Sequence, residues 1–85
     1  MNIDKQEQVL SLIPTLRFEF RELSSKKPNN QVNTFKLKYV NQAIEAANEV
    51  LKDYKPYADF EKFSEEDLPT NSDVLMMLSL YLDAL

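Results

Sequence analysis

Residues 74–85 read VLMMLSLYLDAL, and this stretch decides how the rest of the chain has to be arranged. Ten of its twelve residues are apolar. Read as a helix, it has polar residues only at Ser79 and Asp83, which are four positions apart and share one face. A surface helix has a much wider polar face, and a membrane span needs about 20 apolar residues. We therefore interpret the stretch as a helix that is buried on one side and binds a partner on the other.

The start of this helix is marked by Thr70 and Asp73, which have the spacing of a capping box. Asp73 also lies at the positive end of the helix dipole, where a carboxylate is stabilising. The sequence therefore predicts a helix over residues 71–85.

A first helix is predicted from residues 4–24. Asp4 followed by Glu7 is a capping signal. Apolar residues then recur at spacings of four and three, at Val9, Ile13, Leu16, Phe20 and Leu23. Pro14 interrupts this face, because proline removes a backbone donor and clashes with the preceding turn. Since the apolar pattern continues through Pro14, we expect one kinked helix.

A second helix is predicted from residues 34–55. Its apolar face has the same spacing, at Leu37, Val40, Ile44, Ala47, Leu51 and Tyr54. Asn33 or Thr34 can cap its start, and Pro56 ends it. The polar residues 24–31 form the loop between the first two helices.

A β-hairpin is the alternative for the first half of the chain. Residues 16–21 and 35–39 both alternate between apolar and polar residues, as half-buried strands do. The connection between them exceeds a dozen residues, however, whereas hairpin loops usually have about 2–5 residues. The helical pattern also accounts for more of the apolar residues, so we favour helices.

Four aromatic residues, Tyr54, Tyr57, Phe60 and Phe63, follow at intervals of three. This spacing predicts one or two tight helical turns within residues 57–67. An aromatic binding surface is one interpretation of the group. We favour the other, a lid that closes the core where the chain reverses, because aromatic side chains dominate core energetics.

These elements predict an all-α fold: a single domain over residues 1–85 that forms a small three-helix up-down bundle with one extra helical turn. Two neighbouring helices cannot cover a third helix that is apolar almost all round. An exposed apolar strip normally marks an interface, so we expect oligomerisation or a partner helix to complete the fold. The residues predicted to form this partner or dimer interface are Leu75, Met76, Leu78, Leu82 and Leu85.

The composition bears on function by what it lacks. The chain has no Cys, no His and no Gly. Without Cys the chain has no thiolate chemistry. Without His it lacks the commonest zinc ligand and the commonest base at neutral pH. Without Gly it cannot form a Gly-rich phosphate-binding loop. No spacing places a nucleophile beside a base, so we predict no enzyme, no cofactor, no metal site and no small-molecule substrate. The polar, acidic start of the chain is not that of a signal peptide, and we expect a cytoplasmic protein.

Charge is unevenly distributed along the chain. Residues 1–40 have a net charge of +3 and residues 41–85 a net charge of −7, which together give −4. Lys36 and Lys38 lie where they oppose the dipole of the second helix. Four lysines could therefore hold an anion: Lys26, Lys27, Lys36 and Lys38. The interpretation we favour is a solvated loop whose lysines keep the protein soluble, because Lys is mostly a surface residue. The alternative function is thus a nucleic-acid-associated accessory or regulatory protein that uses the basic residues 17–38.

The acidic pI, near 4.7, argues against nucleic acid as the partner. The function we predict first is a small acidic helical protein–protein interaction module, an adaptor or regulatory protein. It would bind itself as a homodimer, or a partner helix, through the apolar C-terminal helix.

Overall fold

A computed structural model describes residues 5–85, with side-chain surroundings described from residue 7 onward. It contains four α-helices: α1 (Lys5–Leu10), α2 (Leu12–Lys26), α3 (Thr34–Leu51) and α4 (Asn71–Ala84). Within the described residues β-structure is limited to one isolated bridge between Gln31 and Thr70. The prediction of an all-α fold is confirmed, and the hairpin alternative is not formed.

The predicted first helix is present as two segments, α1 and α2, that are separated only by Ser11. Ser11 keeps helical backbone angles, and its hydroxyl donates to the carbonyl of Gln8 at 2.7 Å. The interruption lies one turn before Pro14, as expected when the proline N–H is missing from the helical ladder. The predicted cap, Asp4, lies outside the described residues.

α3 begins as predicted and ends one turn early. The Asn33 side chain accepts hydrogen bonds from the backbone N–H groups of Phe35 and Lys36. The helix was predicted to reach residue 55, but it ends at Leu51 because the backbone of Lys52 turns to φ 52° and ψ −114°. A short 3-10 turn, Lys52–Tyr54, follows.

α4 has the predicted capping box. The backbone N–H of Asp73 donates to the Thr70 hydroxyl, and the backbone N–H of Thr70 donates to the Asp73 carboxylate at 3.0 Å. The backbone N–H groups of the next two residues also have partners: that of Asn71 donates to the carbonyl of Asn30, and that of Ser72 to the carbonyl of Pro28. The loop of residues 27–33 is thereby fixed to the start of α4.

The core lies where α4 packs mainly against α2 and also contacts α3, while α1 packs against α3. Val32 adds a buried side chain from the loop of residues 27–33. The largest fully buried side chains are Tyr81, Phe20, Ile13, Leu37, Ile44, Leu78, Val32, Val40 and Val74. Among the described residues no helix is both long and apolar enough to cross a membrane.

Residues 55–69, here called the connecting segment, are not helical, so the predicted helical turn within residues 57–67 is wrong. Asn41 of α3 binds both backbone groups of Phe63, at 3.0 and 2.9 Å. Asn48 of α3 donates to the carbonyl of Glu61 at 3.1 Å. The segment forms a turn in which the backbone N–H of Phe60 donates to the carbonyl of Tyr57, and it is irregular elsewhere. Side chains of α3 satisfy part of its backbone where the aromatic spacing favoured a helix.

Candidate partner-binding groove

α4 has one buried stripe and one exposed stripe. Asn71, Val74, Leu78 and Tyr81 are buried at helical spacing. The exposed stripe has the same spacing, and its members are Asp73, Met76, Leu80 and Asp83. Met76 is 58% exposed and Leu80 39% exposed. The exposed side of α4 is therefore apolar in its middle and acidic at both ends.

A groove of about 380 Å³ lies between α4 and the connecting segment. It is lined by Tyr57, Phe60, Phe63, Asp73, Met76, Met77 and Leu80. Phe60 and Phe63 meet edge to face with ring centroids 4.9 Å apart, and both pack against the core. Tyr57, by contrast, is 57% exposed, and Tyr54 is 85% exposed. The lid interpretation thus fits the two phenylalanines and does not fit the two tyrosines.

The walls of the groove are held together by a chain of polar contacts. The hydroxyl of Tyr81, on α4, donates to the side-chain carbonyl of Asn48, on α3. The amide of Asn48 in turn donates to the connecting segment at Glu61. Burial raises the pKa of the Tyr81 phenol above its ordinary value near 10. Within residues 7–85, every buried side-chain nitrogen or oxygen has a hydrogen-bond partner.

The electrostatic character of the groove is negative. Asp73 lines it, and its carboxylate also accepts a hydrogen bond from the backbone of Thr70. Asp83 continues the exposed stripe of α4, and Asp59 lies between Tyr57 and Phe60 in the connecting segment. The lining residues, all in the described part of the chain, include no Lys and no Arg. The groove is therefore a solvent-exposed apolar surface with one carboxylate in its lining, that of Asp73.

The five predicted interface residues are distributed over different parts of the fold. Leu78 is fully buried, so as a surface contact it is corrected to a core residue. Leu75 and Leu82 are half-buried and pack against the core. Leu85 is 50% exposed, and of the five only Met76 lines the groove.

The sequence did not predict that Leu80, Met77 and Tyr57 line this groove. Leu80 is four residues after Met76, so the two share a face. Asp73 and Asp83 continue that face in both directions, and this bracket of acidic residues was the available signal. This signal was difficult to recognise because α4 is apolar on nearly every face.

Three of the four lysines proposed to hold an anion line a second depression. Lys26, Lys27 and Lys36 surround a space of about 300 Å³, and Lys38 is not among its lining residues. Lys36 already forms an ion pair with Glu19, at 2.7 Å between Nζ and Oε2. The N–H groups of Phe35 and Lys36 at the start of α3 donate to Asn33, so they are satisfied within the chain.

The polar groups that reach the groove are few. Of the lining residues only Tyr57 and Asp73 have a polar group in the side chain, and the others are apolar or aromatic. Such a surface contributes binding energy mainly by burying apolar area. Comparison of the chain with models of protein families, with curated proteins and with solved structures finds no match.

Proposed function

We propose that this chain is a small acidic protein-interaction module that docks a partner helix in the groove between α4 and the connecting segment. The observation that carries the proposal is the exposed apolar surface shared by Met76, Leu80 and Tyr57 across one groove. Contiguous exposed apolar surface of this kind normally marks an interaction site.

The construction of the groove supports a docking role. Its phenylalanine wall is anchored through Asn41 and Asn48, so it is formed before a partner arrives. Met76 and Met77 add flexible, polarisable side chains that adapt to the shape of a partner. A preformed wall reduces the ordering cost of binding, and the methionines allow a close fit.

Site-specific photocrosslinking in cells tests this function. A benzoylphenylalanine in place of Met76 is expected to give a discrete adduct with another protein. The same group in place of Phe18, which is 66% exposed and lies on α2, is the matched control. Adding Leu80→Asp should abolish the adduct at position 76, because a charge in the groove opposes apolar docking. Equal adducts at both positions, or none at position 76, would contradict the proposal.

A homodimer is the second form of the same function. A second copy would use the same groove, and the dimer would be two-fold symmetric. Sedimentation velocity of the wild type beside the Met76→Asp, Leu80→Asp double variant distinguishes the two forms. With a foreign partner helix, both proteins sediment as monomers.

A nucleic-acid-associated role is the second candidate function. It is favoured by the position of Lys26 and Lys27 beside one depression, with Lys36 at its edge. Phosphate groups would then compete with Glu19 for Lys36. Non-specific phosphate binding is strongest at low salt. The test is a gel shift of a random duplex at low salt. A shift that is lost in a Lys26→Gln, Lys27→Gln variant would support the nucleic-acid role, and the absence of any shift would exclude it.

A further inference from the structure

We infer that the occupant of the groove is a cationic amphipathic helix, with apolar anchors on one face and Lys or Arg residues beside them. The inference rests on the proposed docking function and specifies the chemistry of the partner.

Three exposed carboxylates belong to the two elements that form the groove, and one of them, Asp73, lines it. Asp73 and Asp83 lie at the two ends of the exposed stripe of α4, and Met76 and Leu80 lie between them. Asp59 lies in the connecting segment, between the lining residues Tyr57 and Phe60 in the sequence. None of the three forms an ion pair within the described residues. A partner that carries cations beside its apolar face would complement this arrangement, and an acidic or neutral one would not.

The dimensions of the stripe fit a helix of moderate length. From Asp73 to Asp83 the stripe extends about 15 Å, at 1.5 Å per residue. A partner helix with apolar anchors at positions i, i+4 and i+7 covers about 10 Å along its axis. Its anchors would contact Met76 and Leu80, and flanking lysines would reach the carboxylates at both ends.

The test uses three synthetic helices of about 14 residues. All three have leucine at i, i+4 and i+7, and their flanking positions are Lys, Gln or Glu. Fluorescence anisotropy measures their binding to the full chain. We expect the Lys helix to bind about tenfold more tightly than the Gln helix, and the Glu helix to bind most weakly. Raising the salt concentration should weaken binding of the Lys helix and not that of the other two, since salt screens surface charge pairs.

Matched variants locate the effect. Asp59→Asn and Asp83→Asn should each weaken binding of the Lys helix by about threefold and leave the Gln helix unchanged. Glu22→Gln, an exposed carboxylate on α2, is the control and should change neither. Asp73 is left intact, because its carboxylate also caps α4.

The outcomes separate this inference from the function on which it rests. Equal binding of the Lys and Gln helices would overturn the cationic partner and leave the docking role standing. A dimer that the Met76→Asp, Leu80→Asp variant disperses would make a second copy the occupant and overturn the inference. Absence of binding by all three helices, with no crosslink at position 76, would overturn the docking function itself.

Discussion

The two long connections of this fold are held in different ways. The loop of residues 27–33 is attached mainly by backbone groups: Val32 donates to the carbonyl of Pro69, and the Asn71 backbone N–H donates to that of Asn30. One side chain contributes, because the Asn71 amide donates to the carbonyl of Lys27 at 2.9 Å. The connecting segment is attached by side chains of α3, principally Asn41 and Asn48. A connection held by backbone groups tolerates most side-chain changes, whereas one held by amide side chains depends on each of them. The groove is built on the second kind.

The largest effect is expected where the connecting segment is attached to α3. Asn41→Ala leaves the backbone N–H and C=O of Phe63 without their partners, at about 1–3 kcal/mol for each buried group. We expect the free energy of unfolding, measured in urea, to fall by about 3 kcal/mol. Amide exchange within residues 57–63 should accelerate. Gln42→Ala, at the exposed neighbouring position, is the control. A loss below about 1 kcal/mol would show that the segment is held mainly by its aromatic side chains.

The matching change in the loop of residues 27–33 is Val32→Ala. Val32 is the buried side chain of this loop, and its truncation leaves a cavity in the core. We expect the free energy of unfolding to fall by about 2 kcal/mol, without selective exchange of the loop amides, because their backbone partners remain. Gln31→Ala, which is exposed, should have little effect. If exchange rose only in the loop, the distinction between the two attachments would be wrong.

A smaller and opposite effect is expected at Lys52, where α3 ends. Its φ of 52° and ψ of −114° lie in a region that strains any residue with a Cβ, by about 1–3 kcal/mol. Lys52→Gly relieves this strain, and the greater freedom of glycine in the unfolded chain offsets part of the gain. Thermal unfolding should show a net stabilisation of about 1 kcal/mol. Lys55→Gly, whose φ is −65°, should instead destabilise.

The smallest effect at neutral pH concerns Tyr81, which joins α4 to Asn48. Its pKa is raised by burial, so at high pH the unfolded chain loses this proton before the folded chain does. The stability contributed by Tyr81 is therefore complete below about pH 10 and is lost as the pH rises above that value. Denaturation between about pH 9 and pH 11 should show a steeper loss for the wild type than for Tyr81→Phe. Parallel curves would contradict the assignment.

Local signals in the sequence were sufficient for the starts of helices. Thr70 and Asp73 predicted the capping box of α4, and Asn33 was one of two predicted caps of α3. A disturbance of the first helix near Pro14 was also predicted, although as a kink in one helix, whereas the structure has two segments separated at Ser11. In each case the interaction joins residues within a few positions of one another, so the sequence contains all of its parts.

The rest of the fold depends on contacts between distant residues. The connecting segment is held in a non-helical conformation partly by Asn41, more than twenty residues earlier, which binds the backbone of Phe63. α3 ends at a residue with positive φ, a position that usually has glycine, but the residue there is Lys52 and so the sequence did not predict the end. On α4 the choice between Leu78 and Leu80 as the exposed residue had only one weak local signal, the position of Asp73 and Asp83 on the face of Leu80. A helix that is apolar on nearly every face has little preferred orientation until its neighbours pack against it.

The attachment of α4 to the loop of residues 27–33 has a consequence for how the molecule opens. The N–H groups of Asn71 and Ser72 donate to carbonyls of the loop that follows α2. α4 therefore cannot detach at its start without releasing the loop, and Val32 would leave the core with it. The end of α2, the loop and the start of α4 should behave as one cooperative unit in native-state exchange. The end of the groove at Asp73 belongs to that unit, and so a helix seated there would slow its opening.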